Sequence, residues 1–598
     1  MTSHSHVTAR IRILETTDLH MQLLAYDYFT DKPTPGVGLV PLAGLIETHR
    51  RDPQVTTFLF DNGDFLQGNP LADFLAQDPQ SEKPHPMITA MNLLQYDAVC
   101  LGNHEFNYGL PFLANCLGSA AFPAVCANAT LSTGAPFVPP FTIVEKDVTC
   151  SDGTQRSVRI GVLGLVTPQI VKWDRTVLNG SLQTADIVAT AKHFAPIMRA
   201  QGADVIVALC HSGMRETDWH HGMENAAIPL AQIEDIDVLL MGHTHETFPA
   251  VNPDKSDCAD HSKGQINGKP AVMAGFYGSH LGVVTLSLAW GARGWSIAAS
   301  EAQLDTPHTE TQSPLQQSLG DLVAQDHAST LAHIRQPIAR TALPITSHFA
   351  NTAPDLSLEL LADAQTGALQ QAALGTEWEN LPIISAVAPF RAGGLGGPAH
   401  YIDIAAGDLT LRDASAICPF SNQLYGVARS GRQIKAWLEK SALCFHTVQQ
   451  GVTRQPLHNL DVPPYNFDTL YGLSYRFDLS RTDRRLTDLC YNGQAVNDAD
   501  RFVVATNSYR ANGGGDFFTA DAADVLFRST RSVRDILIDA LRKRQHISEQ
   551  PRRVWQFASL GDTTARFLSA PTAIAPSGSA ILATGETERG FGVFEIAI

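Results

Sequence analysis

The first half of the chain repeats one pattern, in which a short apolar, β-branched run is followed by a polar cluster. Helical stretches, such as residues 39–49 and 185–199, lie between several of these runs. Buried strands that alternate with helices predict a layered α/β domain, and sites in such domains form at the carboxyl ends of the strands. The polar clusters fall at these ends. The apolar runs are residues 11–14, 56–60, 98–101, 159–166, 204–209 and 237–241.

The length of 598 residues is too great for one hydrophobic core, so two large domains are expected. The repeated pattern places the first domain at residues 1–305, and the Gln-, Ala- and His-rich stretch at 306–345 is interpreted as a linker with some helix. Residues 346–560 are expected to form a second globular domain, with helices near 356–372 and 431–442 and strands near 501–506. Residues 561–598 are rich in small residues and are expected to form a C-terminal tail.

The formal net charge of −17 disfavours nucleic-acid polymers and anionic membranes as partners, because both need a basic surface. An anionic small substrate remains compatible, since bound cations can invert the local field. The sequence contains no membrane-spanning stretch and no recognisable signal peptide. A cytoplasmic location is therefore expected for the chain as written, or a periplasmic one if a leader was removed. No feature indicates an oligomeric state.

Cysteine usage argues against two other classes of site. The nine cysteines are scattered and form no Cys-x-x-Cys pair, so neither a disulfide framework nor a zinc–thiolate site is expected. Most of these cysteines are interpreted as small buried hydrophobic residues, and their number favours a reducing compartment.

Polar clusters after the strand-like runs carry the candidate chemistry. Taken singly, each cluster is also typical of a capped turn or a satisfied polar residue. Together they offer carboxylates, an amide oxygen and imidazoles without a thiolate, a set that suits manganese, iron, zinc, cobalt or magnesium. The set is large enough for two divalent ions that share one carboxylate. The clusters are Thr17-Asp18-Leu19-His20, Asp61-Asn62-Gly63-Asp64, Gly102-Asn103-His104-Glu105, Cys210-His211-Ser212 and Gly242-His243-Thr244-His245.

In this order, the clusters resemble the motif series of the calcineurin-like metallophosphoesterases. The resemblance implies a β-sandwich core flanked by helices and a site for two divalent metal ions. Carried over by motif position, the ligands of the first metal are Asp18, His20, Asp61 and His245. Those of the second metal are Asp61, Asn103, His211 and His243, so that Asp61 bridges the two ions.

The resemblance also assigns roles to residues beside the ligands. His104 would lie next to the substrate phosphate, where it would stabilise the transition state and assist the leaving oxygen. Two metals can supply a hydroxide at neutral pH and hold the phosphoryl group for in-line displacement. Asp64 and Glu105 are assigned to structural support rather than metal binding.

The second half resembles the C-terminal domain of the 5′-nucleotidase family, which implies an α+β domain that binds nucleotides. The resemblance rests on the blocks at 388–394, 418–422, 465–468 and 507–516. In that family two aromatic rings sandwich the base, and stacking tolerates every base because each has a π-face. By position these rings are Phe420 and Tyr509. Arg391 is interpreted as a phosphate or ribose contact or as a structural arginine, and Asp516 as a further substrate-binding residue.

The segment 102–109, Gly-Asn-His-Glu-Phe-Asn-Tyr-Gly, indicates a branch of this family. Asn107 stands where 5′-nucleotidases usually carry an aspartate that pairs with the catalytic histidine, and His245 stands where some of them carry glutamine. Both features resemble the 2′,3′-cyclic-nucleotide 2′-phosphodiesterase/3′-nucleotidases. The resemblance implies opening of a cyclic phosphate to a 3′-nucleotide, followed by hydrolysis to nucleoside and phosphate. Asn107 would orient His104 by a hydrogen bond but would supply no negative charge.

Other functions remain open at this point. A 5′-nucleotidase or nucleotide-sugar hydrolase, or a hydrolase of sulfur-linked groups, could use the same scaffold. A non-catalytic nucleotide-binding protein should have lost ligands, whereas every expected ligand position is filled here. A protein phosphatase would leave the second domain unexplained.

Overall fold

A computed structural model describes residues 7–78, 81, 83–215, 217–250, 258–307 and 312–598. The chain divides into two compact units, Met1–Ala332 and His333–Ile598. Within the described residues, no helix combines the length and the apolar character that crossing a lipid bilayer requires.

The first unit contains two large sheets. One has the strand order Gly294–Asp305, Leu281–Gly291, Val7–Thr16, Val55–Asp61, Ala98–Cys100 and Ala124–Val125. The other has the order Ala259–Asp260, Gln265–Ile266, Lys269–Ala274, Val238–Met241, Val205–His211, Gln155–Val166 and Phe141–Thr149, with Thr247–Phe248 paired to Lys269–Ala274. Short two-stranded pairs join Tyr26–Asp27 to Lys32–Pro33 and Ala129–Leu131 to Leu182–Thr184.

The two sheets pack face to face, and side-chain alternation along the strands explains why. Val205, Val207 and Leu209 point into a core shared with Ile11 and Phe58 of the other sheet. The intervening residues of the same strand lie in a second core, against the helix Ile187–Ala200. Because successive side chains of a strand face opposite sides, a strand that is apolar at every position must be covered on both faces. The predicted β-sandwich flanked by helices is confirmed.

Helices of the first unit cover the sandwich and connect its strands. The helix Leu39–Arg50 buries Leu42 and Ile46 and contacts the strand Val55–Asp61. The remaining helices are Pro70–Leu75, Pro86–Leu93, Leu110–Leu117, Ile170–Trp173, Arg175–Leu178, Ala227–Leu230 and Pro314–Ile334, with a short 3₁₀ turn at His104–Phe106.

The segment expected as a linker, residues 306–345, is largely regular structure where it is described. It contains the helix Pro314–Ile334, which packs on the first unit: Gln316 Nε2 donates to Val40 O at 3.0 Å, and Tyr28 Oη lies 2.9 Å from His327 Nδ1. The strand Pro337–Thr341 then opens the second unit. The helix also buries Leu319 and Val323, but a composition rich in Gln, Ala and His carries only a weak apolar pattern.

The second unit is built on a mixed sheet with the order Thr469–Tyr471, Ile383–Val387, Arg501–Asn507, Gln423–Ser430 and Val525–Ser532. The helices Leu356–Ala373 and Val533–Arg544 share one core with this sheet, and the helix Gly431–Ser441 lies in the other. The predicted α+β class is confirmed. Further helices are Leu411–Ile417 and Ser508–Ala511, with 3₁₀ turns at Gly394–Gly396, Ala442–Cys444, Pro464–Asn466 and Gly514–Asp516.

Small sheets surround this core, and one of them uses the end of the chain. Residues 561–598, expected as a tail, form the strands Thr564–Ser569, Ile581–Glu588 and Phe591–Ala597, paired with Gln455–Pro456. Phe567 and Phe594 pack on Phe349 in the core, so this segment belongs to the second unit. The other small sheets join Gly407–Thr410, Pro337–Thr341 and His546–Ile547; Ile345–Thr346 and Asp403–Ile404; and Gln494–Ala495, Leu486–Tyr491, Leu473–Phe477 and Trp555–Phe557.

Candidate active site

The predicted clusters of the first unit meet because they follow parallel strands. Thr16 lies opposite Asp61 in one sheet, and Cys210 lies opposite Met241 in the other. The loops that follow these strands therefore leave the sandwich at one edge. At this edge the backbone is held in a conformation that non-glycine residues rarely adopt, with φ values between 46° and 72° at Asp18, His20, Asp64, His243 and His245. Such backbone strain concentrates at functional sites.

Close approach of two loops explains one of the motif glycines. A Cβ atom at Gly102 would lie 2.2 Å from Asp64 Oδ1, so only glycine fits there. The same two loops are joined by Glu105, whose carboxylate accepts hydrogen bonds from the amides of Asp64, Phe65, Leu66 and Gly102 at 2.7–3.0 Å. Glu105 thus fixes the position of Asp64, as its expected structural role requires.

One group of possible metal ligands consists of Asp18, His20 and His245. The Nε2 atoms of the two histidines lie 2.9 Å apart, and His245 Nε2 lies 3.4 Å from Asp18 Oδ1. His245 also stacks on Phe276, with ring centroids 4.7 Å apart. Three of the four residues expected to hold the first metal therefore come together.

Asp64 is the carboxylate at the centre of the site. It belongs to one group with His20 and His104 and to another with Asp18 and His211. Its Oδ1 accepts from the backbone amide of His104 at 2.7 Å, and its Oδ2 lies 3.1 Å from His211 Nε2. The Asp64 carboxylate is thus close both to His20 and His104 and to His211. A carboxylate that bridges two metal ions needs such a position between the two sets of ligands.

The expectation that Asp61 supplies the bridging carboxylate differs from this geometry. Asp61 is the last residue of its strand, and among the described residues it belongs to none of the three groups of possible ligands. Its carboxylate accepts hydrogen bonds from the Thr16 hydroxyl at 2.6 Å and the Gly63 amide at 2.9 Å. These contacts brace the turn that carries Asp64, so the geometry favours Asp64 over Asp61 as the shared carboxylate, and the roles of both residues remain predictions.

Asn103, His211 and His243 form the other side of the site. Asn103 Oδ1 lies 2.9 Å from His243 Nδ1, and the His211 and His243 rings are 5.6 Å apart. His211 is the last residue of its strand and is fully buried. All three residues expected at the second metal besides the bridging carboxylate therefore lie together.

Each of three candidate ligand histidines has an acceptor on its other ring nitrogen. His20 Nδ1 lies 2.8 Å from Gln67 O, and His211 Nδ1 lies 2.7 Å from Asn62 O. His243 Nε2 lies 2.8 Å from Glu224 Oε1. Such acceptors fix the tautomer and leave the remaining nitrogen deprotonated for a metal. Glu224 was not found by sequence reasoning, because it lies outside every motif, on a loop that only the fold brings to His243.

Loss of the Glu224 carboxylate should weaken one metal site selectively. In Glu224→Gln the amide can no longer serve as a charged acceptor for His243, so the affinity of one of the two sites for Mn²⁺ is expected to fall about 10–100-fold. Calorimetric titration of chelator-treated protein measures this. The exposed Glu234→Gln is the matched control, and equal affinities in wild type and Glu224→Gln would show that Glu224 does not support the site.

His104 lies at the margin of the cluster, on the 3₁₀ turn His104–Phe106. Its Nε2 lies 3.9 Å from Asp64 Oδ2, and its Nδ1 lies 2.6 Å from Asn107 Oδ1. Asn107 Nδ2 in turn donates to both carboxylate oxygens of Asp174, each at 3.0 Å. The contact between His104 and Asn107 that the motif predicts is therefore present, and Asp174 is a third partner that no motif indicated.

The electrostatics of the cluster fit divalent cations. Burial lowers the pKa of His211, but the nearby carboxylates of Asp64 and Asp18 raise it to about 10. The His211 Nε2 atom faces the carboxylate of Asp64 at 3.1 Å. Oxygen and nitrogen donors without a thiolate suit manganese, zinc, iron, cobalt or magnesium, and metal binding displaces protons from such histidines. The residues present thus fit divalent metal ions.

In the second unit, the predicted nucleotide-binding blocks lie at one edge of the mixed sheet. Ile383–Val387 runs parallel to Arg501–Asn507, and the antiparallel strand Gln423–Ser430 begins where Arg501–Asn507 ends, since Leu424 lies opposite Asn507. The loops that carry Phe390, Phe420 and Tyr509 therefore neighbour one another, and Gln423 N donates to Ser508 Oγ at 3.2 Å.

The aromatic candidates of the second unit have different surroundings. The Phe420 ring packs edge-on against Phe390, with centroids 5.4 Å apart, so Phe390 is an aromatic residue of this edge that sequence reasoning did not select. The Tyr509 ring packs on the glycine turn, where a Cβ at Gly514 would lie 2.3 Å from its Cε1. The absence of side chains in the glycine run therefore allows the Tyr509 ring to lie close to the backbone.

The two polar candidates lie on the same loops. Arg391 follows the strand Ile383–Val387 and is buried, and its carbonyl accepts a hydrogen bond from the Ser347 hydroxyl. Asp516 ends the 3₁₀ turn Gly514–Asp516 with φ 57°. Their contacts with a nucleotide remain predictions.

Arg510 ties two of the predicted blocks together. Its buried guanidinium pairs with both carboxylate oxygens of Asp468, at 2.9 and 3.0 Å, and donates to Tyr465 O at 2.9 Å. It also lies 4.0 Å from the Phe517 ring centroid. The block at 465–468 thus supports the loop that carries Tyr509.

Removal of this buried charge should destabilise the second unit. Arg510→Met leaves Asp468 buried without its cation, which is expected to cost about 3–5 kcal/mol of the free energy of unfolding. The exposed pair of Arg531 and Asp539 provides the matched control, since Arg531→Met should cost no more than about 1 kcal/mol. Urea unfolding measures both, and similar losses in the two variants would contradict the supporting role of Arg510.

Comparison with known proteins agrees with this architecture. The family model described as calcineurin-like phosphoesterase matches residues 11–247, and that described as 5′-nucleotidase, C-terminal domain, matches residues 337–522. A 2′,3′-cyclic-nucleotide 2′-phosphodiesterase/3′-nucleotidase of Yersinia enterocolitica is 34% identical over 98% of this chain and 96% of its own length.

A second relative is the trifunctional nucleotide phosphoesterase protein YfkN of Bacillus subtilis. It is 34% identical over 98% of this chain, which spans 42% of the length of that protein. A crystal structure of the calcineurin-like phosphoesterase YfkN is 39% identical and covers 54% of this chain and 98% of its own, with a TM-score of 0.52.

The fold and the site thus define a metal-dependent phosphoesterase with a 5′-nucleotidase-type C-terminal domain, and the predicted enzyme class is confirmed. The chain belongs to the family of the 2′,3′-cyclic-nucleotide 2′-phosphodiesterase/3′-nucleotidases.

Proposed function

We propose that this chain hydrolyses 2′,3′-cyclic nucleotides to 3′-nucleotides and then hydrolyses the 3′-nucleotides to nucleoside and phosphate. The observation that carries the proposal is the convergence of carboxylate, amide and imidazole donors at one strand edge, with His104 beside them. The names of the relatives supply the substrate class, since three that are 33–35% identical over 94–98% of this chain are named for both activities.

The groups of neighbouring donors, with the contact between Asn103 and His243, support a ligand set for two divalent ions. Asp18, His20, Asp64 and His245 would hold one divalent ion, and Asp64, Asn103, His211 and His243 the other. Asp64 is assigned the bridging position because it shares one group with His20 and another with His211. When bound, the two ions supply Lewis-acid polarisation of the phosphoryl group and make water nucleophilic near neutral pH.

The remaining chemistry belongs to the chain itself. His104 donates Nδ1–H to Asn107 Oδ1, which leaves Nε2 to face the cluster. A proton held at Nε2 can pass to the leaving oxygen, which is the 2′-oxygen of the cyclic substrate in the first round and the 3′-oxygen in the second. The same imidazolium stabilises negative charge that develops on the phosphoryl oxygens.

The second unit would bind the nucleoside part of the substrate. Phe420 and Tyr509 would stack on the base, and Phe390 would hold the Phe420 ring in place by its edge-on contact. Arg391 and Asp516 would provide polar contacts from the adjoining loops. Because stacking does not require hydrogen bonds to the edge of a particular base, nucleotides with different bases are expected to be substrates.

Phosphate release from 3′-AMP and 5′-AMP in Mn²⁺ tests the proposed substrate class. Hydrolysis of 3′-AMP with little release from 5′-AMP, abolished by chelator, is expected. Preference for 5′-AMP would place the chain with the 5′-nucleotidases, and an absence of release from both substrates would contradict a nucleotide phosphoesterase.

A further inference from the structure

Three side chains form a continuous hydrogen-bonded series behind the candidate site. His104 Nδ1 lies 2.6 Å from Asn107 Oδ1, and Asn107 Nδ2 lies 3.0 Å from each carboxylate oxygen of Asp174. A side-chain amide has one donor end and one acceptor end. The direction of the Asn107 amide therefore decides whether His104 Nδ1 must donate or accept a hydrogen bond.

Asn107 alone cannot set this direction, because the two ends of its amide have almost the same shape. If the amide were turned over, its NH₂ group would face His104 Nδ1, which would then have to be unprotonated. A neutral ring would carry its proton on Nε2 instead. An ionised carboxylate can only accept. Burial raises the pKa of Asp174 to about 7, so above that pH Asp174 binds the NH₂ end and excludes the turned orientation.

The position of Asp174 in the fold suits this task. It joins the short helices Ile170–Trp173 and Arg175–Leu178, which are anchored by the buried side chains of Ile170 and Leu178. The preceding residue, Trp173, stacks on His243 with ring centroids 5.8 Å apart and an interplanar angle of 19°. The segment that carries Asp174 is therefore held in place both by its buried apolar side chains and by the stacking of Trp173 on His243.

We propose that Asp174 is a positioning residue for catalysis: it fixes the Asn107 amide so that Oδ1 accepts Nδ1–H of His104, and the second proton of the imidazolium is held at Nε2, toward the phosphate. In serine proteases a carboxylate fixes the tautomer of the catalytic histidine in a comparable way. The inference rests on the proposed function, since it needs a phosphoester whose turnover His104 assists.

Exchanging the carboxylate and the amide between positions 107 and 174 tests the proposal. Asp174→Asn removes the carboxylate without changing the side-chain shape, and kcat for 3′-AMP is expected to fall about 10–100-fold with KM unchanged. Asn107→Asp should also lower kcat, because it sets two carboxylates face to face. The double variant Asn107→Asp/Asp174→Asn returns a carboxylate to His104 and an amide donor behind it, so it should recover most of the lost kcat.

The controls separate positioning from general stability and from a wrong substrate. Asp204→Asn removes a carboxylate at the opposite end of the sandwich, where Asp204 Oδ2 accepts from Arg159 N, and should leave kcat unchanged. Thermal unfolding of Asp174→Asn should match that of wild type. If wild type failed to hydrolyse 3′-AMP, the proposed function would fail. If wild type were active and Asp174→Asn equally active, or if the double variant gave no recovery, the positioning role would be wrong.

Discussion

Replacement of His104 by alanine is expected to lower kcat for 3′-AMP by about 10²–10⁴-fold, the usual contribution of a positioned acid or base. The structure places the Nε2 of this histidine 3.9 Å from Asp64 Oδ2, beside the candidate ligands, and the proposed ligand set does not include it. The variant should therefore retain both metal ions, and KM should change little. Steady-state kinetics with metal analysis of the same sample measures both quantities.

The control for this variant is His193→Ala, which removes an exposed histidine from the helix Ile187–Ala200. It should retain wild-type turnover. A His104→Ala protein with full activity would contradict the proposed role. A variant that lost its metal together with its activity would show that His104 acts as a ligand.

Replacement of Asp64 by asparagine is expected to lower activity by about 10³-fold or more and to reduce the metal content. Loss of a bridging carboxylate removes several kcal/mol of transition-state stabilisation, and each 1.36 kcal/mol corresponds to a tenfold change in rate. Asp61→Asn is the matched control from the same turn. Burial raises the pKa of Asp61 above its usual range, although the Thr16 and Gly63 hydrogen bonds oppose the rise, and Asp61→Asn keeps the shape of this side chain.

The comparison of these two variants decides which aspartate bridges the metals. Metal analysis after dialysis should show wild-type content in Asp61→Asn and a deficit in Asp64→Asn. The opposite result would restore Asp61 as the bridging ligand. Equal loss of metal in the two variants would mean that either substitution disturbs the whole turn, and it would contradict the assignment of Asp64 as the bridging ligand.

The strand pattern of the first half was sufficient to predict a layered α/β domain and the edge where the polar clusters meet, whereas the β-sandwich was implied by the resemblance to the calcineurin-like metallophosphoesterases. Apolar strands such as Val205–His211 require cover on both faces, and parallel strands bring the ends of distant segments together. That is why residues as far apart as Asp18 and His243 could be assigned to one site from sequence.

The choice between Asp61 and Asp64 could not be made in this way. Both carboxylates follow the same strand, and the difference depends on how the turn between them is folded. In the structure Asp64 takes a positive φ, and Glu105 holds its amide from another loop. Neither the left-handed backbone nor the partner loop is visible in a strand pattern.

The residues that hold the candidate ligands and His104 in place could not be predicted from the sequence either. Glu224 and Asp174 lie on loops outside every motif, and only tertiary structure brings them to His243 and Asn107. The strands of residues 561–598 were missed because short segments rich in small residues carry a weak apolar pattern. Arg510 lay inside a recognised block, but its buried pairing with Asp468 had no sequence signal.

The proposed activity is tested most directly by following the hydrolysis of 2′,3′-cyclic AMP in Mn²⁺ by reversed-phase chromatography, with a colorimetric assay for inorganic phosphate. The expected result is a transient rise of 3′-AMP, followed by its conversion to adenosine and inorganic phosphate. Formation of 2′-AMP instead, or an unchanged cyclic phosphate, would contradict the proposal.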